Sequence, residues 1–249
     1  MEYYRLILYI LLGILPSLIW LFYYVRKDLH PEPKKMIIKV FFYGILTTIP
    51  VFFLQLSLSK ILDTLGHYGV FDGFPIAADI LKWFIVIALT EEILKYLVVR
   101  LTVLKGPELD EPLDVMLYMV VVALGFAALE NILYLFSPDN NASFSSVLKT
   151  SVGISFIRFI GATFLHTLCS SVLGYFIAMS MYNPKEKIRI VITGVSAATI
   201  LHGFYNFSII IFESPFNLIV PVSIILSLAL FIFYEFSRIG RVKGITAVE

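Results

Sequence analysis

The chain has 249 residues, 59% of them apolar and 15% charged, with a mean hydropathy of +0.90. Soluble domains carry about 25% charge and 45–50% apolar residues, so this composition excludes a soluble protein and predicts an integral membrane one. The formal charge of +1 favours neither acidic nor basic partners, and a single cysteine, Cys169, excludes an intrachain disulfide.

Seven stretches are apolar over the about 20 residues that a bilayer crossing takes: 4–25, 37–59, 80–103, 114–136, 152–181, 190–212 and 217–236. They predict an all-α polytopic helix bundle forming a single transmembrane domain over 1–249. The first stretch exceeds the apolar core of a signal peptide and has neither a basic leader nor an A-x-A-like site, so it reads as a retained span. Between the second and third, Ile61 to Ala78 mixes Asp63, His67 and Asp72 with Leu65, Val70 and Phe74, which reads as an interfacial or amphipathic connector or as part of a span. Basic residues set the orientation. With the N-terminus outside, the cytoplasmic segments hold Arg26, Lys27, Lys34, Lys35, Arg100, Lys105, Lys185, Lys187, Arg189, Arg238, Arg241 and Lys243, against Arg5, Lys60 and Lys149 outside. The positive-inside bias therefore predicts an external N-terminus and a cytoplasmic C-terminus.

The third to sixth spans carry polar groups that are costly in lipid, about 2.5–3.5 kcal/mol each for an ionised side chain at the bilayer centre. In IVIALTEEILKYLVVR, Glu91 and Lys95 stand four apart with the acid first, the favourable helical pair, and Glu92 points about 100° away toward another partner. A structural ion-pair lock needs one acid; two adjacent acids favour function. The fourth span has a smooth face of Gly125, Ala127 and Ala128, suited to close helix approach, then Glu130, Asn131 and Tyr134; the acid and amide also suit an interhelical clamp. The preceding DEPLD, Asp110 to Asp114, reads as a solvated cytoplasmic turn. In the fifth span His166 is surrounded by Gly161, Thr163, Thr167, Ser170, Ser171 and Gly174, a face that admits water or a neighbouring backbone. Arg158, two turns earlier, either snorkels outward or neutralises Glu130. In the sixth, His202 and Asn206 share a face at i and i+4, and Gly203 leaves room beside the histidine.

Counted from the cytoplasmic ends, Glu91, Glu92, His166 and His202 lie about 15–24 Å deep at 1.5 Å per residue, with Glu130 about one turn nearer the outer surface. Separate helices thus deliver acids and imidazoles to one layer. Glu, His and His match the ligand chemistry of a zinc site with an open position, and a further carboxylate can serve as general base. Proton relays in transporters use the same residue types, so an ion- or proton-coupled transporter or channel, and a non-catalytic membrane scaffold, are the rival readings. The chain contains no HExxH, GxSxG or GxGD, so a peptidase here is glutamate- or metal-dependent.

EEILK (Glu91–Lys95), DEPLD…GFAALENILY ending at Tyr134, His166 and HGFYN (His202–Asn206) together resemble the motifs of PrsW-type intramembrane proteases. The resemblance spans about residues 80–210. It is more distant to the CAAX-prenyl endopeptidase and bacteriocin-processing group, whose EExxxR and FxxxH are broken here by Tyr96 and Ala162. The resemblance implies a metalloprotease of a bacterial or archaeal plasma membrane. Its partners would be the lipid bilayer and a single-pass membrane protein, such as an anti-sigma factor, cut at a first site; no nucleic acid is implied. In this reading Glu91 or Glu92 activates water, and Lys95 keeps the companion acid ionised. His166 and His202, with Glu130, bind Zn²⁺ or stabilise the oxyanion, and Asn206 supports His202. The catalytic helices lie within 80–212, with 1–60 and 217–249 as scaffold or substrate guides. Glu91, Glu92 and Glu130 remain interchangeable as base or ligand at this level.

Overall fold

The computed structural model of the protein describes residues 2–27, 30–104, 106, 109, 111–136 and 143–239. Lys105, Asp110, residues 137–142 and residues 240–249, with Arg241 and Lys243, lie outside them. The described elements are α1 (Glu2–Lys27), α2 (Lys34–His67), α3 (Ile76–Ile80), a π-helical segment (Leu81–Leu89) and α4 (Thr90–Thr102), which continue one another. They are followed by α5 (Pro112–Leu135), α6 (Phe144–Ile160), α7 (Ala162–Tyr182), a 3₁₀ turn (Pro184–Glu186), α8 (Lys187–Ile211) and α9 (Phe216–Ile239). The described residues form no strand, and the protein is a polytopic helical bundle.

The centre of the bundle is α5. Its run VMLYMVVVALGFAAL is apolar on every face, the mark of a helix surrounded by others, and 94% of its most apolar window is buried. Helices α1, α2 and α7 pack round it, α8 packs on α7 and the π segment, and α9 covers α7 and α8. The helix begins with Pro112 in its first turn and a reciprocal cap, in which the Glu111 N–H donates to Asp114 Oδ2 at 2.6 Å. DEPLD is therefore no solvated turn at its end: Asp114 is only 2% exposed, because it terminates the central helix.

Close crossings are set by glycine. A Cβ on Gly125 of α5 would overlap the Phe41 carbonyl oxygen, and one on Gly44 of α2 the Val122 carbonyl oxygen, so α2 and α5 touch backbone to backbone. Gly125→Val is expected to destabilise the bundle by about 1–3 kcal/mol or more, read as a lowered Tm in detergent. Gly153→Val is the control, since a Cβ there meets nothing within 4 Å.

Among the described residues, six helical stretches are long and apolar enough to cross a membrane, against the seven expected. The remaining stretch is the continuous rod Ile76–Thr102, about 40 Å long, whose acids and lysines lower its apolarity. Two other boundaries differ. Residues 61–67 belong to α2, which outruns the bilayer core, so the connector is confined to the turn before α3. The fifth stretch is two helices broken at Gly161, which has φ −89° and ψ −97°. There a Cβ would stand 2.7 Å from the Tyr205 hydroxyl, so the break lets α8 approach.

Candidate active site

The acids face inward because the nine-residue π segment sets their angle just upstream. Thr90 closes it, its hydroxyl donating to the carbonyls of Val86 at 2.6 Å and Ile87 at 3.0 Å. Long π stretches are rare and concentrate at functional sites. The room left by Gly203 of α8 is filled by Phe84 of this segment, 2.7 Å from a Cβ built there. That contact brings His202 over the acids.

Lys95 is the hub. Its Nζ, fully buried, stands 2.8 Å from Glu92 Oε1, 3.4 Å from Glu91 Oε2 and 3.0 Å from His166 Nδ1, and 4.4 Å above the Phe126 ring. The helical pair expected with Glu91 is thus shared, and the shorter bond goes to Glu92. Glu92 also accepts from Ser170 Oγ at 2.9 Å and faces His202 Nδ1 at 3.0 Å. Glu91 accepts from Gln55 Nε2 at 3.1 Å through Oε1, while Oε2 faces His166 Nδ1 at 3.8 Å and His202 Nε2 at 3.9 Å. The two imidazoles meet edge to face, 4.9 Å between centroids.

A second layer of contacts surrounds Glu130. Glu130 Oε2 is 2.9 Å from His166 Nε2 and 2.6 Å from the Arg158 guanidinium, so Arg158 neutralises Glu130 rather than snorkelling outward. Asn131 accepts from Arg158 Nε at 2.5 Å and donates to the Gly13 carbonyl and to Thr163 Oγ1, clamping α1, α5 and α7.

In the neutral form of each ring, these contacts set which nitrogen carries the proton. His166 Nδ1 accepts from the Lys95 ammonium, so its proton is on Nε2 and donated to Glu130. His202 donates from Nδ1 to Glu92, which leaves Nε2 as a lone-pair donor aimed at Glu91. A carboxylate behind a histidine is the arrangement that orients metal-binding imidazoles.

Glu91, Glu130, His166, His202 and Asn206 line one cavity of about 400 Å³, whereas Glu92 and Lys95 are sealed behind it. Asn206 is one turn past His202 on the cavity wall, and His202 is steadied by Glu92. Helix α2, read from sequence as scaffold or substrate guide, adds Thr48, Phe52 and Gln55 to the wall. Gln55 went unmarked in the sequence reading. A lone amide inside the apolar run VFFLQL was the available signal, since such a group must find a partner in lipid.

The donor chemistry fits a divalent ion. One ligand atom each from Glu91, His166 and His202 lies within 4.8 Å of the others. Ligands of a tetrahedral zinc sit about 3.4 Å apart, close to the 3.8 and 3.9 Å between Glu91 Oε2 and the two imidazoles. His166 would exchange one present partner for the ion. Glu130 stands outside this trio, on the far nitrogen of His166.

The family described as PrsW family intramembrane metalloprotease matches residues 32–234, most of the chain. The chain belongs to that family. It is similar to Protease PrsW of Clostridioides difficile, 30% identical over 81% of this chain and 79% of that protein. Protease PrsW of Oceanobacillus iheyensis is 28% identical over 86% and 88%, and that of Bacillus subtilis 27% over 78% and 79%. No solved structure matches the chain. As a PrsW-family intramembrane protease, it is a multi-pass protein of the cell membrane, and peptide hydrolysis rather than ion transport or scaffolding is its activity.

Proposed function

We propose that this PrsW-family protease makes the first cut in a single-pass membrane protein of the anti-sigma-factor kind, at or near the outer membrane face, with Glu91 as proton acceptor. One observation carries the reading: two acceptor atoms, Glu91 Oε2 and His202 Nε2, face each other across 3.9 Å at the wall of the cavity. Acceptors so placed call for a shared donor or cation, and a water molecule meets that need.

Glu91 Oε2 takes the proton of that water and later returns it to the leaving nitrogen. Glu130 is the other carboxylate on the cavity wall, but its Oε2 is already engaged by the Arg158 guanidinium at 2.6 Å and by His166 Nε2 at 2.9 Å. Lys95 and Ser170 hold Glu92 as a carboxylate, and Glu92 holds the His202 tautomer. The Asn206 amide is placed to donate to the scissile carbonyl oxygen as charge develops on it. Zinc, where bound, would be held by Glu91, His166 and His202, with Glu130 behind His166, and its Lewis acidity would take the place of Glu91 in activating the water. The cavity draws on the second half of α2, the start of the rod 76–102, the end of α5 and the last turns of α8. In the orientation favoured by the basic residues, those ends are outside.

The test compares cells producing the wild type with cells producing a His166→Ala, His202→Ala double variant. The free N-termini of single-pass membrane proteins are mapped in both. Fragments cut on the outer side of the membrane are expected with the wild type alone; identical fragment sets would end this reading. Metal analysis of the same two proteins, purified without chelator, is expected to find about one zinc per chain in the wild type only. A metal-free, active wild type would withdraw zinc and leave the Glu91 water.

A further inference from the structure

The rod Ile76–Thr102 and α8 pack tightly at only one end. At Phe84 and Gly203 they are in contact, but toward the other end α4 and α8 diverge and enclose a groove of about 790 Å³. Its walls are apolar, with Ile93 and Leu97 on α4 and Val191 and Val195 on α8. Its mouth holds two cations: Arg100, in the last turn of α4, and Lys187, the first residue of α8. Both are exposed, and neither forms an ion pair among the described residues. The groove does not communicate with the site chemistry, because Glu92, Lys95 and Val99 occupy the opposite, buried face of α4.

We propose that this groove binds an acidic phospholipid, with its phosphate between Arg100 and Lys187 and an acyl chain along the α4–α8 cleft. Charge selects this occupant. Basic pockets between membrane helices take anionic headgroups, whereas a zwitterionic lipid brings its own cation to a mouth that already holds two. The basic-residue bias puts the mouth in the cytoplasmic leaflet. The site is thus separate from the outward-facing cavity, and its occupancy does not depend on the cleavage chemistry.

The experiment uses the full chain in detergent, titrated with dioleoyl phosphatidylglycerol or dioleoyl phosphatidylcholine, with binding read by native mass spectrometry and by Tm. The wild type is expected to bind the glycerol lipid about fivefold or more tightly and to gain Tm with it. In Arg100→Gln, Lys187→Gln that preference disappears while the phosphatidylcholine response is unchanged, which also shows that the variant is folded. Val195→Trp, which fills the cleft, is expected to weaken both lipids. Equal binding of the two lipids by the wild type, or a preference that survives the double variant, would overturn the proposal. So would protection by inorganic phosphate alone, which would mean a simple anion site, or displacement of the lipid by a synthetic transmembrane peptide, which would mean a substrate groove.

Discussion

Glu91→Gln is expected to slow cleavage by about 10²–10⁴-fold, the range for loss of a general base, with Tm close to that of the wild type. The amide has the carboxylate's shape and still accepts from Gln55, so the fold around it is kept. What it loses is the ability to take a proton from a water facing His202 Nε2. Glu92→Gln behaves differently. Glu92 is fully buried and satisfies Lys95, Ser170 and His202 at once, so neutralising it leaves the ammonium with Glu91 at 3.4 Å as its carboxylate partner. Its loss therefore appears in stability as well as rate. The pair is measured in proteoliposomes with one substrate, beside thermal unfolding of each variant. If Glu92→Gln loses rate at unchanged Tm while Glu91→Gln cleaves normally, the two roles are reversed.

The largest stability effect belongs to Lys95→Met. Methionine matches the stem in length and fills the space against Phe126, so packing is nearly conserved and the charge alone is removed. Glu91 and Glu92 then lose the cation between them, in a position with no access to bulk water. Removing one partner of a buried ion pair costs about 3–5 kcal/mol, and here two carboxylates and His166 Nδ1 are left at once. Unfolding in detergent should show a loss of this size. Lys95→Met combined with Glu92→Gln should recover part of it, because the second change removes one stranded charge. A single variant as stable as the wild type would mean that the acids are held by something other than Lys95.

The composition of the site was legible in the sequence because each polar group stands alone in hydrocarbon. Glu91, Glu92, Glu130, His166 and His202 announce themselves by their cost in lipid, and the fold brings them and Asn206 within one constellation. Pairing was less legible. Spacing along one helix marks Glu91 as the partner of Lys95, but the shorter bond goes to Glu92, which is also a helical neighbour at i,i+3 and is held there by Ser170 and His202 from other helices. Gln55 and Ser170 act across helices, and hydropathy, which measures burial, carries no record of which helix faces which. The break at Gly161 was hidden for the same reason: both flanks are apolar, and the residue packed against it, Tyr205, is on α8. Asp114 misled because an acid before a span reads as solvated unless the cap it closes is seen.

The widened segment Leu81–Leu89 has a consequence for how this site tolerates change. On a helix each inserted or deleted residue turns everything beyond it by about 100°. The stretch consists of LKWFIVIAL, with no acid or histidine of the cluster, yet its length decides whether Glu91 looks into the cavity or into the lipid. It works as a phase adjuster: Phe84 is fixed by its packing on Gly203, and for the rest of the segment the residue count matters more than which apolar side chain stands at each place.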